Sequence, residues 1–148
     1  MYRHLLAATD GSELANKALM HAAQLAKAME AQLTILVVTE SWPVMEIAQK
    51  ATERRKDPIG EFEARASAWA AEVLEQAKGM IEATGVRVQT MHVSDMAPAQ
   101  AIVDSAAKLG CDAIVMSTHG RRGIRRVVLG SQASDVVAEA KVPVIIVK

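Results

Sequence analysis

The chain has 148 residues, 51% of them hydrophobic, and its 17 Lys and Arg residues are balanced by 17 Asp and Glu residues. This length and composition predict one domain, residues 1–148, with one core, and the neutral balance argues against non-specific binding to nucleic acid or a membrane surface. The single cysteine, Cys111, lies in an apolar run and is predicted to be a small buried hydrophobe in a reducing cytoplasm.

Short β-like apolar runs alternate with stretches of helical spacing, which predicts βαβ units around a parallel sheet. The first half is predicted as a strand over Leu5–Thr9, a helix from the polar turn Asp10–Glu13 to about Met29, a strand over Leu33–Thr39 and an irregular stretch over Glu40–Gly60. The first strand is far too short for a signal peptide or a membrane span. The irregular stretch is predicted to be a lid over a site, because such long loops are usually functional.

The second half continues the alternation. A long helix ending near Gly85 is predicted from an apolar stripe formed by Phe62, Ala66, Trp69, Val73, Ala77 and Met80. Then follow a strand over Val86–Val93, a helix over Ala97–Leu109, a strand over Ala113–Met116, a helix with Ser131 as its N-cap, and a strand over Val142–Val147. Right-handed crossovers would place helices on both faces and a ligand crevice at the carboxyl ends of the strands.

The loop after the fourth strand has the features of a phosphate cradle. Gly130 stands directly before the helix start, where unpaired N–H groups and the helix dipole favour an anion. Four arginines in the loop, at positions 121, 122, 125 and 126, indicate an anionic ligand, with a partner's acidic patch, RNA or a solvated loop as alternatives. RNA is disfavoured by the scarcity of aromatic residues.

Common catalytic and metal-binding motifs are absent from the sequence. It contains no Gly-x4-Gly-Lys-[Ser/Thr] motif, no Gly-x-Ser-x-Gly elbow and no dinucleotide-binding glycine pattern after the first strand. The four histidines have no metal-ligand spacing, so no structural metal is expected. The missing motifs argue against ordinary enzymatic activity but leave open whether the protein is an enzyme.

The segment Ser117-x2-Gly120-x9-Gly130-Ser131 resembles the Gly-x2-Gly-x9-Gly-[Ser/Thr] signature of the universal stress protein family, with Ser117 at the place of the first glycine. The opening Leu5–Ser12 and the closing Pro143–Val147 extend the resemblance over nearly the whole chain. It implies a single-domain, three-layer α/β/α, Rossmann-like open parallel sheet of five strands in the order 3-2-1-4-5, similar to the adenine nucleotide alpha hydrolases.

The resemblance also implies a ligand and its contacts. Asp10 would hold the ribose or base, Val38 would contact adenine, and Gly130 would meet the β- and γ-phosphates. The implied nucleotide-binding residues are Ala8, Thr9, Asp10, Val38, Met116, Ser117, His119, Gly120, Arg121, Gly130, Ser131 and Gln132. For two of them the residues alone leave an alternative: Asp10 would form a capping box with Glu13, and His119 would be a solvated loop residue.

The function implied is that of a cytoplasmic stress-response protein that binds ATP, or AMP or ADP, with Mg²⁺ accompanying the nucleotide. It would form a homodimer through the last strand, at Val144, Ile145, Ile146 and Val147, and act as a regulatory switch toward an unknown protein partner, without specific nucleic-acid or membrane binding. The alternatives are a stress or chaperone-like interaction module that binds no nucleotide, favoured by Ser117 in place of glycine, and a slow Mg²⁺-dependent ATPase.

Overall fold

A computed structural model of the chain describes residues 1–41, 57–120 and 129–148. In these ranges the strands are β1 (His4–Ala8), β2 (Gln32–Thr39), β3 (Val88–Ser94), β4 (Ala113–Ser117) and β5 (Val144–Val147). The helices are α1 (Glu13–Met29), α2 (Pro58–Glu82), α3 (Pro98–Leu109) and α4 (Ser131–Glu139). All strand pairs are parallel and the sheet order is β3-β2-β1-β4-β5, which confirms the predicted architecture and strand order.

The sheet is buried between two helical layers. Alternate residues of β1 point to opposite faces, so Leu5 packs with α1 and α2 while Leu6 packs with α3 and α4. Both side chains are fully buried. A central parallel strand covered on both faces is apolar at successive positions, which is why the short run at the start of the chain identifies this strand.

Helix α2 differs from its prediction in two ways. It already begins at Pro58, with Asp57 Oδ1 accepting from Gly60 N at 3.0 Å, so the end of the predicted irregular stretch is helical. Residues 42–56 of that stretch, and with them most of the predicted lid, lie outside the described residues. The buried stripe shares Ala77 with the predicted one, but otherwise lies one position further along the chain, at Ala70, Leu74 and Ile81.

Edge strand β5 is only partly covered. All four of its residues are half-buried, and Pro143 precedes the strand rather than interrupting it. Among the described residues, no helix is both long and apolar enough to cross a membrane.

Cys111 lies between α3 and β4 and packs in the α3/α4 layer. It is 5% exposed, which confirms the prediction that it is a buried hydrophobe. Burial, and secondarily the negative charge of Asp112, raises the pKa of the Cys111 thiol to about 11. Because the thiolate is the reactive form, we expect labelling of the folded protein by a disulfide reagent at pH 8 to be roughly a hundredfold slower than labelling of a free thiol. The protein unfolded in urea is the control and should react at once; rapid labelling of the folded protein would contradict the burial.

Candidate functional site

The turn after β1 is stabilised by its own polar side chains. Thr9 N donates to the carbonyl of Leu36 at 2.9 Å, and Thr9 Oγ1 accepts from Gly11 N at 3.2 Å. Asp10 Oδ1 accepts from Ser12 N at 3.0 Å. Gly11 has φ +78°, a conformation that other residues adopt only with strain. These bonds hold the Asp10 carboxylate at the carboxyl end of β1.

The N-cap of α1 is Ser12, so the predicted capping box of Asp10 with Glu13 is wrong. Ser12 Oγ accepts from Ala15 N at 3.2 Å, and the Ser12 carbonyl accepts from Asn16 N at 2.9 Å. The positive φ of Gly11 redirects the chain before the helix begins, which places Asp10 outside the first helical turn. Asp10 is therefore a residue of the strand-end turn and not the cap of α1.

The turn after β1 meets the loop after β4. A Cβ atom on Gly120 would lie 2.7 Å from Asp10 Oδ2, well inside van der Waals contact. The absence of a side chain at Gly120 thus allows the backbone of one loop to approach the carboxylate of the other. Two residues that are 110 positions apart in the chain, and that the resemblance assigned to one ligand, are neighbours in the structure.

The last residue of β4 and the residue that follows it are held by three hydrogen bonds. Ser117 is 7% exposed, and its hydroxyl donates to the carbonyl of His119 at 2.8 Å. Thr118 N donates to the carbonyl of Val147 at 3.1 Å, which extends the pairing of β4 with β5 by one bond. Thr118 O accepts from Gly130 N at 2.9 Å.

Gly130 packs its backbone directly on this loop. A Cβ atom on Gly130 would lie 2.7 Å from the Thr118 carbonyl oxygen and 3.3 Å from His119 Cδ2. The glycine therefore permits a contact within the protein, and its N–H already has an acceptor in Thr118. The N–H groups that have no acceptor within the helix, and that an anion could therefore bind, are those of the first turn of α4, at Ser131, Gln132 and Ala133.

Ser131 is the first helical residue of α4, so its predicted role as N-cap is wrong. Gly130 is the N-cap, in extended conformation with φ −60° and ψ 155°, and its carbonyl accepts from Ser134 N at 2.9 Å. No side chain caps this helix end. The bond from Gly130 N to Thr118 fixes where the helix begins, a long-range contact that local sequence preference cannot register.

Gln132 has a structural contact that the sequence did not predict. Its Oε1 accepts from Ala99 N at 3.2 Å and so caps α3, where the N-cap residue Ala97 offers no side-chain oxygen. The Gln132 side chain thereby joins the first turn of α4 to the first turn of α3. The backbone N–H of Gln132 belongs to the first turn of α4, which the resemblance assigned to the phosphates.

The apolar members of the predicted site lie on the α3/α4 face. Ala8 and Val38 are half-buried against that layer, and Met116 is 7% exposed within it. They lie on the same side of the sheet as the start of α4. Arg121, together with Arg122, Arg125 and Arg126, lies outside the described residues.

A cleft on the opposite, α1/α2 side of the Asp10 turn was missed by the sequence reasoning. It has a volume of about 340 Å³ and is lined by Asp10, Gly11, Ser12, Trp69, Glu72, Val73 and Gln76. Trp69 was interpreted as a core residue, and it does pack partly against the core. Glu72 and Gln76, three and seven positions further along α2, were the available signal that this helix face lines a polar cleft.

The ends of β2 and β3 are joined by a second polar cluster. Thr39 Oγ1 and His92 Nε2 are 2.8 Å apart, and Ser41 Oγ donates to the Asp95 carboxylate. Asp95 N donates to the carbonyl of Thr39 at 3.0 Å. In the described part of the chain, no three His, Cys, Asp or Glu side chains come together as metal ligands.

Comparisons with known proteins identify similar chains over the full length. The model of the universal stress protein family matches residues 1–148. A universal stress protein of Methanocaldococcus jannaschii is 31% identical over 148 residues, which cover 100% of this chain and 83% of that protein.

Solved structures of similar proteins share the fold. Protein MJ0577 of the same archaeon superposes with a TM-score of 0.82 at 28% identity, over 100% of this chain and 96% of that one. A universal stress protein in complex with cAMP gives a TM-score of 0.74 at 25% identity, over 99% and 97% of the two chains. The universal stress protein of Archaeoglobus fulgidus in complex with dAMP gives 0.72 at 25% identity, over 100% and 98%.

Proposed function

Because the chain belongs to the universal stress protein family, we propose that it is a cytoplasmic regulatory protein that binds an adenine nucleotide, ATP foremost, at the carboxyl ends of β1 and β4. One observation carries this proposal: the turn after β1, the loop after β4 and the start of α4 converge at one edge of the sheet. Gly120 lies against the Asp10 carboxylate, and Gly130 lies against the Thr118 carbonyl. In open α/β sheets, this edge is the usual place for a ligand.

The start of α4 supports a phosphate position. The helix has nine residues, and its first three N–H groups precede the intrahelical bonding pattern. The partial positive charge of the helix end favours an anion there. The exposed Ser131 side chain lies in the same turn and could donate its hydroxyl to a phosphate oxygen.

The residues around β1 support a nucleoside position. Asp10 is ionisable and its carboxylate oxygens accept hydrogen bonds, which suits the two hydroxyl groups of a ribose. Ala8, Val38 and Met116 form an apolar surface on the same face of the sheet as α4, suited to an adenine ring. The complexes of similar proteins with cAMP and dAMP support an adenine nucleotide as the class of ligand.

Mg²⁺ would enter with the nucleotide. Mg²⁺ in nucleotide sites commonly keeps several waters and binds phosphate oxygens together with only one or two carboxylates. Asp10 is the carboxylate in the described turn after β1. The proposal therefore includes Mg²⁺ as a partner of the phosphates and assigns it no catalytic step.

The proposed homodimer rests on edge strand β5. The exposed side of β5 carries backbone groups that another strand can pair with, and its residues Val144 to Val147 are half-buried in the single chain. We propose that a second copy of the chain pairs there. Val147 also accepts from Thr118 N, so the proposed interface is one hydrogen bond away from the proposed nucleotide loop.

Thermal unfolding of purified, nucleotide-free protein with and without ATP and Mg²⁺ tests the proposal. A ligand at one hundred times its dissociation constant stabilises the native state by about 2.7 kcal/mol, which raises Tm by about 5 to 11 °C for a domain of this size. AMP should give a smaller shift, because it lacks the phosphates placed at α4. GTP at equal concentration is the control for non-specific binding, and an unchanged Tm with both adenine nucleotides would refute the proposal.

A member of the family that binds no nucleotide is the second candidate. The specific observations in its favour are that the Ser117 hydroxyl and the Gly130 N–H both have acceptors within the protein. In that case the loop after β4 would be a structural element and the protein an interaction module. Absorbance at 260 nm retained through purification distinguishes the two candidates before any titration.

A further inference from the structure

We propose that Ser117 is a positioning residue for the nucleotide loop: its hydroxyl, by binding the His119 carbonyl, orients the peptide that presents the Gly120 N–H to the ligand. This inference rests on the proposed nucleotide binding and deepens it. Ser117 stands in place of the first glycine of the family signature, and this departure was expected to disfavour nucleotide binding. The inference assigns it the opposite effect. The departure adds a tether to the loop and does not obstruct the site.

The serine is accommodated without backbone strain. In the described residues, the only non-glycine positions with positive φ are Glu30 and Asp95. Ser117 is the last residue of β4 and pairs with Val147 in the regular parallel register. The special conformational freedom of glycine is therefore not required at this position, and a side chain there has no steric penalty from the backbone.

The hydroxyl is kept in place by its surroundings. Ser117 is 7% exposed, and its Oγ lies 2.8 Å from the His119 carbonyl oxygen. A buried hydroxyl that lost this acceptor would be desolvated without compensation, so the bond is favoured over other rotamers. Thr118, between the two residues, is held by Val147 through its N–H and by Gly130 through its carbonyl.

The tether determines the direction of the next amide. In a trans peptide, the carbonyl and the following N–H point in opposite directions. Because the His119 carbonyl points to Ser117, the Gly120 N–H points away from the end of β4. Gly120 is also the residue that lies against the Asp10 carboxylate. Its N–H is therefore located where the turn after β1 meets the loop after β4.

A glycine at this position would lack the tether. The peptide between His119 and Gly120 could then rotate, and only a fraction of the unliganded molecules would have the amide correctly oriented. The apparent affinity falls in proportion to that fraction. Loss of one hydrogen bond of ordinary strength corresponds to roughly two- to tenfold weaker binding.

Nucleotide affinity of four variants, measured by isothermal titration well below Tm, tests the inference. Ser117→Ala keeps the Cβ and removes the donor, Ser117→Gly restores the signature residue, and Ser117→Thr keeps the hydroxyl. We expect ATP to bind about two- to tenfold more weakly to the first two and within about twofold of the unmodified protein to the third. Ser105→Ala removes a buried hydroxyl from α3, and should lower Tm without changing affinity.

The outcomes separate this inference from the proposed function. If the unmodified protein binds no adenine nucleotide, both are overturned. If it binds ATP, and Ser117→Ala and Ser117→Gly bind it equally well or more tightly, the positioning role alone is overturned. Weaker binding by these two variants, with affinity retained in Ser117→Thr, supports the positioning role. A loss of affinity caused only by lower stability of the fold would also appear in Ser105→Ala.

Discussion

Gly130→Ala is expected to lower the free energy of unfolding by about 1 to 3 kcal/mol and to remove most of the ATP-induced rise in Tm. The added Cβ would lie 2.7 Å from the Thr118 carbonyl oxygen, a backbone atom that no rotamer change can move aside. Either the start of α4 or the loop after β4 must shift, and the bond from Gly130 N to Thr118 O, 2.9 Å long, must lengthen. Because both segments line the proposed phosphate position, the movement disturbs the ligand site as well as the fold.

The measurement is urea-induced unfolding, together with thermal unfolding in the presence and absence of ATP. Gly79→Ala is the matched control, since a Cβ at Gly79 on α2 meets no atom within 4 Å. This variant should stabilise the protein by about 0.5 to 1 kcal/mol, because alanine favours the helix interior, and should retain the full ATP response. Equal stability and equal ATP response of Gly130→Ala and the unmodified protein would contradict the close contact.

Ile81→Ala is expected to have the larger effect on stability, a loss of about 2 to 5 kcal/mol. Ile81 has no exposed surface and belongs to the cluster that joins α2 to the α1 face of the sheet. Its truncation leaves a cavity in a layer that includes Leu74 and Val86. ATP affinity should stay unchanged, because Ile81 packs in the α1/α2 layer, whereas Ala8, Val38 and Met116 of the proposed site pack in the α3/α4 layer.

Met80→Ala provides the comparison for Ile81→Ala on the same helix. Met80 was predicted to be part of the buried stripe, but it is half-buried and lines a surface groove with Met20 and Val147. Its truncation should therefore have a clearly smaller effect on the midpoint of urea unfolding than that of Ile81. Equal losses for the two variants would indicate that the predicted stripe, and not the observed one, forms the core.

Some features of the site follow from residues adjacent in sequence. Each strand that carries a site residue was predicted to within one residue at its carboxyl end, because a buried strand is a short apolar run that ends at a polar turn. This is why Asp10 could be placed at the end of the first strand and Ser117 at the end of the fourth, and why the edge of the sheet on which they lie could be named. The signature spacing from Ser117 to Gly130 identified the family, which the match over residues 1–148 confirms.

Other features depend on atoms that come together only in the folded chain. The caps of α1 and α4 are displaced from their predicted positions, to Ser12 and Gly130, because a positive φ and a bond to Thr118 decide where each helix begins. Gln132 caps α3 because the starts of two helices lie side by side. Local preference ranks several residues as possible caps, and differences of about 1 kcal/mol among them are smaller than the effect of one long-range contact.

By itself, therefore, the sequence determined the alternation of strands and helices, the order of the sheet through its family signature, and the edge at which the proposed site residues lie. The spacing and type of apolar residues can be read from consecutive positions, and a parallel strand that is buried on both faces is a continuous apolar run. The tertiary structure alone decided what each site residue contacts: His119 for Ser117, Thr118 for Gly130, and Ala99 for Gln132. Hydrogen bonds act over about 3 Å, and only the packing of the sheet and its helices brings such partners within that distance.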